Sequence, residues 1–177
     1  MRFLADLVRQ GDPYPLKQRN QLFRNDGRGR FADLSDAAGP AFALLEVSRG
    51  LAVGDLDNDG RPDAVVFNSS GPVRVLRNTA ANRHWLGVRV IDGRSRRDAL
   101  HTRVELVRRG GNRIWRRVQT DGSYLSATDP RVVFGLGSDA APPTIRVHWP
   151  RGEVEEFRDL AVDRYWELES GKPPRAR

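Results

Sequence analysis

Apolar and polar residues alternate in short runs along most of this chain, which is the pattern of half-buried β-strands. In residues 144–149, for example, Ile145, Val147 and Trp149 fall on one face and the polar residues between them fall on the other. Turn sequences rich in Gly, Pro and Asn separate the runs, so the pattern predicts an all-β protein. Strands are predicted at residues 20–24, 30–35, 51–54, 64–67, 73–78, 84–91, 102–108, 113–119, 131–134, 144–149, 153–157 and 164–169.

A small polar joint at residues 79–83 divides these strands into two groups. Seven strands follow the joint within about 85 residues, which favours a small antiparallel β-sandwich or barrel. We therefore predict one domain over residues 1–80 and a second over residues 81–171. The tail at residues 172–177, which begins Lys-Pro-Pro, is predicted to be disordered.

The most unusual stretch is residues 55–63, where four aspartates follow the pattern DxDxDGxxD. Their mutual repulsion costs free energy unless a cation neutralises them. A hard cation that takes six to eight oxygen ligands at about 2.3–2.6 Å meets that need, and Ca2+ is the usual one. The alternative is a solvated acidic turn without an ion. The predicted side-chain ligands are Asp55, Asp57, Asp59 and Asp63.

The residues around these acids indicate which kind of calcium loop they form. Gly60 permits a sharp turn, and the backbone carbonyl of Arg61 stands where a main-chain ligand is expected. The twelfth position from Asp55 is Val66, whereas an EF-hand requires a bidentate Glu there. The flanking runs are short and apolar, as in buried strands rather than amphipathic helices. The loop is therefore predicted to join two strands of a hairpin.

With this loop and its flanking strands, the first half resembles the FG-GAP (VCBS) repeat, the blade unit of integrin-type β-propellers. The resemblance implies that calcium binds Asp55, Asp57, Asp59, Asp63 and the Arg61 carbonyl. The phrase LFRNDGRGRFADLSDAAG, before the loop, resembles the stretch that joins one such blade to the next.

The predicted blade region is short for a propeller. Residues 20–80 supply about one blade and the outer half of another, whereas a closed propeller needs about four to eight. We expect either a C-terminal fragment of a longer protein or a chain with an open blade edge through which it associates.

The second half resembles the ASPIC/UnbV domain over about residues 82–170. Leu100-His101-Thr102 departs from the Gly-Ile-Gly-Ala step common in that family. The combination of FG-GAP repeats with this domain is the architecture of the cartilage acidic protein group and its bacterial relatives. It implies an extracellular, periplasmic or cell-envelope location. The matching phrases are NRHWLGV at 82–88, SRRD at 95–98, GSYLS at 122–126, FGLG at 134–137 and VHWP at 147–150.

Composition narrows the function further. The 177 residues carry a net charge of +7, but the arginines are scattered and often alternate with apolar residues, as on the wet face of a sheet. We therefore expect no nucleic-acid partner. Mean hydropathy is −0.59 and no apolar run approaches the roughly 18 residues of a membrane span. Charged residues interrupt the apolar start Met1–Arg9, which argues against a signal peptide and allows a short helix.

No catalytic constellation is evident. His84, His101 and His148 lack metal-ligand spacing, and the four tryptophans fit core positions better than a sugar platform. We predict a non-catalytic, calcium-stabilised interaction or adhesion module of a secreted or envelope protein, with a protein or glycan partner. Two alternatives stay open. One is an accessory protein or cryptic enzyme of secondary metabolism, because some relatives are encoded in enediyne clusters, and the other is a carbohydrate-binding module.

Overall fold

A computed structural model describes residues 9–11, 16–81 and 83–177. Its elements are nearly all β-strands, with two short 3-10 helices at Ser35–Ala37 and Pro40–Ala43, so the all-β prediction is confirmed. The helix predicted near the N-terminus lies outside the described residues except for Arg9. No helix in the described part of the chain is long and apolar enough to cross a membrane. The strands are β1 (Phe23–Asn25), β2 (Phe31–Asp33), β3 (Ser48–Gly54), β4 (Asp63–Asn68), β5 (Arg74–Leu76), β6 (His84–Ile91), β7 (Arg103–Val107), β8 (Arg113–Arg117), β9 (Val132–Gly137), β10 (Thr144–His148), β11 (Val154–Phe157), β12 (Arg164–Glu169) and β13 (Arg175–Ala176).

The chain divides into two compact units. The first contains the described residues up to Leu51 together with Val65–Leu76, and the second contains Ala52–Ala64 together with Arg77–Arg177. The acidic loop therefore belongs to the same unit as the strands that follow residue 83. A boundary between independent domains at residues 80 and 81 stays a prediction.

The first unit contains an antiparallel ribbon of β1 and β2, in which Phe23 pairs with Asp33. β3, β4 and β5 form a separate sheet in the order β3-β4-β5, and β3 and β4 each run through both units. Three strands are one fewer than the four of a propeller blade. A sheet is therefore present where the partial blade was expected, and its place in a propeller stays a prediction.

The second unit contains a sandwich of two four-stranded sheets, in the orders β11-β10-β7-β8 and β13-β12-β6-β9. Both sheets contribute buried residues to one hydrophobic core, including Leu86, Phe134, Ile145 and Leu168. The sandwich prediction is confirmed, and the described strands form no closed barrel. One pair departs from the expected antiparallel pattern, because β12 runs parallel to β6. Side-chain alternation determines which face a residue takes but not which strand it pairs with.

The C-terminal tail is ordered at its end, so the prediction of disorder at residues 172–177 is wrong there. Arg175–Ala176 pair with Glu167 and Trp166 of β12. The guanidinium groups of Arg175 and Arg177 donate hydrogen bonds to Glu167, whose side chain is buried. Charge-assisted hydrogen bonds to this distant carboxylate hold a segment whose own composition is polar.

The tryptophans do not all lie in the core, contrary to the expectation. Trp85 and Trp149 are buried and Trp166 packs against the core, but Trp115 is 58% exposed. Trp115 lies opposite Glu105 in the β7–β8 ladder, and both point away from the core side that holds Leu106 and its partner Ile114.

Candidate metal centre

The acidic loop connects the end of β3 at Gly54 to the start of β4 at Asp63. Two residues take positive backbone φ angles, 58° at Asn58 and 83° at Gly60, and these reverse the chain direction. Glycine adopts such an angle without steric cost and asparagine tolerates it, which explains the sequence DNDG at this turn. The hairpin predicted from the sequence is therefore present.

The structure brings three of the predicted ligands together. One carboxylate oxygen from each of Asp55, Asp57 and Asp63 lies within 4.8 Å of the other two. Asp55 and Asp63 are 2% and 3% exposed, whereas Asp57 faces solvent. Such a cluster concentrates negative charge at a partly buried site, where repulsion is poorly screened by water.

The two buried carboxylates are held in place by neutral donors. Asp55 Oδ1 accepts the Asp59 N–H at 3.0 Å, and Asp55 Oδ2 accepts the Gly60 N–H at 2.8 Å. Asp63 accepts backbone N–H groups of Leu56 at 3.1 Å and Asn78 at 2.8 Å. These four backbone N–H donors carry no charge. These bonds orient the oxygens without cancelling their charge.

The other predicted ligands are placed differently. The Asp59 carboxylate is hydrogen bonded to the Arg61 guanidinium and accepts the Arg61 N–H at 2.9 Å. Asp59 therefore lies outside the group of three, and its role as a ligand stays a prediction, as does that of the Arg61 carbonyl. Arg77 forms an ion pair with Asp57. Partial burial opposes ionisation of Asp57, but the charge of Arg77 prevails and lowers the pKa of this carboxyl group below its ordinary value.

The donor set fits a hard divalent cation. All three clustered ligands are carboxylate oxygens, the type that calcium prefers, and a chain without cysteine offers no thiolate ligand. Two buried negative charges with neutral hydrogen-bond partners are also the charges that a bound cation would stabilise most.

Residues distant in sequence contact the acidic loop within the second unit. Tyr165 of β12 donates its hydroxyl to Asp55 Oδ2 at 2.7 Å, and Arg131 donates to the Asp55 backbone carbonyl at 2.8 Å. The Trp85 ring packs beside Gly60. Burial and the hydrogen bond to Asp55 both raise the pKa of Tyr165, so its hydroxyl stays protonated at neutral pH and donates to Asp55. Sequence reasoning missed Tyr165 and Arg131, because no local spacing connects them to the loop.

Two of the histidines and Asp98 lie beside partners on the second unit. His84 Nδ1 lies 2.8 Å from Asp163, and His148 Nε2 lies 3.6 Å from the buried Glu105. Asp98 contacts Arg89 at 2.7 Å. His84 and His148 thus lie apart, each beside its own carboxylate.

Comparison with known families agrees with this architecture. The FG-GAP-like repeat model matches residues 4–66, which include the acidic loop, and the model described as ASPIC and UnbV matches residues 92–175. Both matches agree with the resemblances that the sequence phrases implied. Families of this kind are mainly repeat and interaction domains.

Among curated proteins, the chain is similar to cartilage acidic protein 1 of Homo sapiens, with 31% identity over 80% of this chain and 22% of that protein. The Mus musculus protein of the same name is 30% identical over the same shares. The chain thus spans about a fifth of the length of these relatives. Similarity to the cartilage acidic protein group, expected from the sequence, is confirmed.

Proposed function

We propose that this chain is a non-catalytic, calcium-binding interaction module in which the ion has a structural role. The observation that supports it is the cluster of Asp55, Asp57 and Asp63, two of them buried with neutral hydrogen-bond partners. The match to an FG-GAP-like repeat over the same loop adds to this support. A bound Ca2+ would supply positive charge that holds the carboxylates together and thereby stabilises the turn between β3 and β4.

The chain's own residues divide this task. Asp55, Asp57 and Asp63 would ligate through their clustered oxygens. Asp59 would join them once its carboxylate leaves the Arg61 guanidinium, and the Arg61 carbonyl is the proposed main-chain ligand. The ion pair of Asp57 with Arg77 would compete with the cation, because both need the same carboxylate.

The test is thermal unfolding of the full chain with CaCl2 and with excess chelator. Binding only to the folded state stabilises it by about 2.7 kcal/mol when free Ca2+ is 100 times Kd, so the midpoint should rise by several degrees. The double variant Asp57→Ala, Asp59→Ala should lose this rise, whereas Asp121→Ala, at an exposed acid outside the loop, should keep it. An unchanged melting curve of the wild-type chain in chelator would overturn the proposal.

We also propose an extracellular or cell-envelope location. The FG-GAP-like repeat and the similarity to a protein named for cartilage support it. Detection of the native protein in the culture medium or envelope fraction, rather than in the cell lysate, is the expected result.

A second candidate function is binding of an acidic glycan on the outer face of the β11-β10-β7-β8 sheet, which one observation favours. Trp115 is exposed there, and the Arg103 guanidinium lies 5.4 Å from its ring centroid. Exposed aromatic rings stack on sugar rings through their flat apolar faces.

The charge of this face points to an acidic rather than a neutral sugar. Buried Glu105 is approached by the guanidinium groups of Arg103, Arg113 and Arg146 at 3.4–4.0 Å. One carboxylate neutralises one of these charges, and Arg146 also contacts Glu156 at 2.6 Å. The remaining positive charge beside an exposed ring suits uronate or sulfate groups.

Binding of heparin and of neutral dextran to the full chain tests this candidate. Heparin should bind, dextran should not, and Trp115→Ala should weaken heparin binding about tenfold or more. Leu125→Ala, at an exposed apolar residue in the same unit, should leave binding unchanged. Equal heparin binding by all variants would show that net charge alone explains it and would overturn the candidate. Tighter binding of single-stranded DNA that depends on Trp115 would overturn it as well.

A further inference from the structure

The Asp55 carboxylate receives a hydrogen bond from outside its own loop. Within the loop, Asp59 and Gly60 donate to Asp55 through their N–H groups, as expected for a tight turn. The third donor is the Tyr165 hydroxyl, 110 residues away in sequence, at 2.7 Å from Oδ2. Both partners are buried, so water does not replace this bond readily.

The Tyr165 ring packs closely against residues of β6. It pairs with Gly87 in the parallel β6–β12 ladder, and a Cβ atom at residue 87 would come within 2.3 Å of the tyrosine ring. Gly87 therefore makes the space that the ring occupies. Trp85 meets the ring edge to face at a centroid distance of 5.0 Å, so two residues of β6 define where the hydroxyl points.

Arg131 fixes the loop backbone from the same side. Its guanidinium lies 4.4 Å from the Tyr165 ring centroid and donates to the Asp55 carbonyl at 2.8 Å and to Asn58 Oδ1 at 2.5 Å. Its Nε donates to Asp129 at 2.7 Å, which orients the planar group. The sandwich thus holds both the side chain and the backbone of Asp55.

We infer that Tyr165 and Arg131 are positioning residues of the metal site, so that the sandwich sets the calcium affinity of the loop. The inference rests on the proposed function, because Asp55 must be a ligand. It goes beyond that function by making the site depend on two residues that the FG-GAP-like match at residues 4–66 does not contain. In an isolated repeat the Asp55 carboxylate would lack both supports.

The physical reason is preorganisation of a ligand. A carboxylate already held in its binding orientation loses less conformational freedom when the cation binds. Hydrogen-bond partners of metal ligands generally account for about 10–100-fold in metal affinity. The effect requires only that Tyr165 keep its bond to one Asp55 oxygen while the carboxylate binds a cation.

Calcium titration calorimetry on the full chain tests the inference. Tyr165→Phe keeps the ring and its contacts with Trp85 and Arg131 but removes the hydroxyl, and we expect a Kd about tenfold or more higher. Tyr124→Phe, the same change at a tyrosine that is 67% exposed, should leave Kd within twofold. A merely structural role of the hydroxyl would lower the melting temperature in chelator without changing Kd.

A second variant keeps the test decisive if Tyr165→Phe does not fold. Arg131→Lys retains the positive charge but cannot reach Asp55, Asn58 and Asp129 together. Calcium affinity should again fall, and so should terbium luminescence sensitised by Trp85 beside the loop. Wild-type chain that fails to bind calcium contradicts the proposed function. Wild-type binding matched within twofold by the folded variants contradicts this inference alone.

Discussion

Two separate constraints require a glycine at position 60. Its φ of 83° is costly for any residue with a side chain, and a Cβ atom there would come within 2.1 Å of the Trp85 ring. The glycine therefore serves both the turn of the acidic loop and its close packing on β6. The first requirement is visible in the sequence as Asp-Gly, but the second depends on a ring 25 positions later in the chain.

Substitution of Gly60 by Ala tests these constraints separately. Gly111 has a similar φ of 80° with no atom within 4 Å of a built Cβ, so Gly111→Ala measures the backbone cost alone. We expect Gly111→Ala to lower the free energy of unfolding by about 1 kcal/mol, and Gly60→Ala to lower it by a further 1–3 kcal/mol, order of magnitude. Urea denaturation followed by circular dichroism measures both. Equal losses of unfolding free energy in the two variants would show that the Trp85 ring moves aside without energetic cost.

At the scale of elements, β13 depends on β12 for its order. The pairing covers only two residues of each strand, and a ladder this short is marginal by itself. Glu167, buried on β12, accepts hydrogen bonds from its paired residue Arg175 and from Arg177, which follows the pairing. Ion pairs therefore secure an element that hydrophobic contacts do not.

Removal of the Glu167 charge should release β13. In Glu167→Gln, trypsin should cleave after Arg175 several times faster than in the wild-type chain, because the freed backbone fits the protease. Glu156→Gln is the matched control. Glu156 also pairs with two arginines, Arg146 and Arg158, but neither of them belongs to the C-terminal tail. Timed digestion followed by mass spectrometry measures the loss of residues 176–177. Unchanged cleavage would mean that backbone pairing alone holds the strand.

Acid should release β13 in the wild-type chain. Burial opposes ionisation of Glu167, but Arg177 and Arg175 outweigh it and hold its pKa below the ordinary value of 4.5. A lowered folded-state pKa means that the stabilisation is complete above the unfolded value and is lost as pH falls through the folded value. The Ala176 methyl resonance should stay constant down to about pH 5 and shift below about pH 4.5. In Glu167→Gln, the Ala176 methyl resonance should already have the acid-shifted position at neutral pH and should change less as the pH falls.

For the whole molecule, the sandwich core of the second unit supplies the main packing energy. Leu86 is fully buried between the sheets, whereas Leu125 in the same unit is 89% exposed. We expect Leu86→Ala to lower the free energy of unfolding by about 2–5 kcal/mol and Leu125→Ala to change it by less than about 0.5 kcal/mol. The calcium-dependent gain should persist in Leu125→Ala. A small effect of Leu86→Ala would contradict the packing described for β6.

Local patterns account for much of the fold. The predicted bounds of β6 and β12, residues 84–91 and 164–169, agree with the observed strands, because period-two alternation depends only on neighbouring residues. The hairpin around the acidic loop also follows from local chemistry, since turn residues and flanking apolar runs are adjacent in sequence. Asp55, Asp57 and Asp63, which lie together, all belong to that hairpin.

Other features arose only in three dimensions. The exposure of Trp115 and the order of β13 depend on which strand lies beside them, and several pairings satisfy the same alternation. The sequence by itself determined the all-β character, the positions of most strands and the acidic loop with its candidate ligands, because these depend on short-range periodicity and turn geometry. The tertiary structure decided that β12 lies parallel to β6 and brings Tyr165 to Asp55, because only the packing of the complete core selects among strand partners.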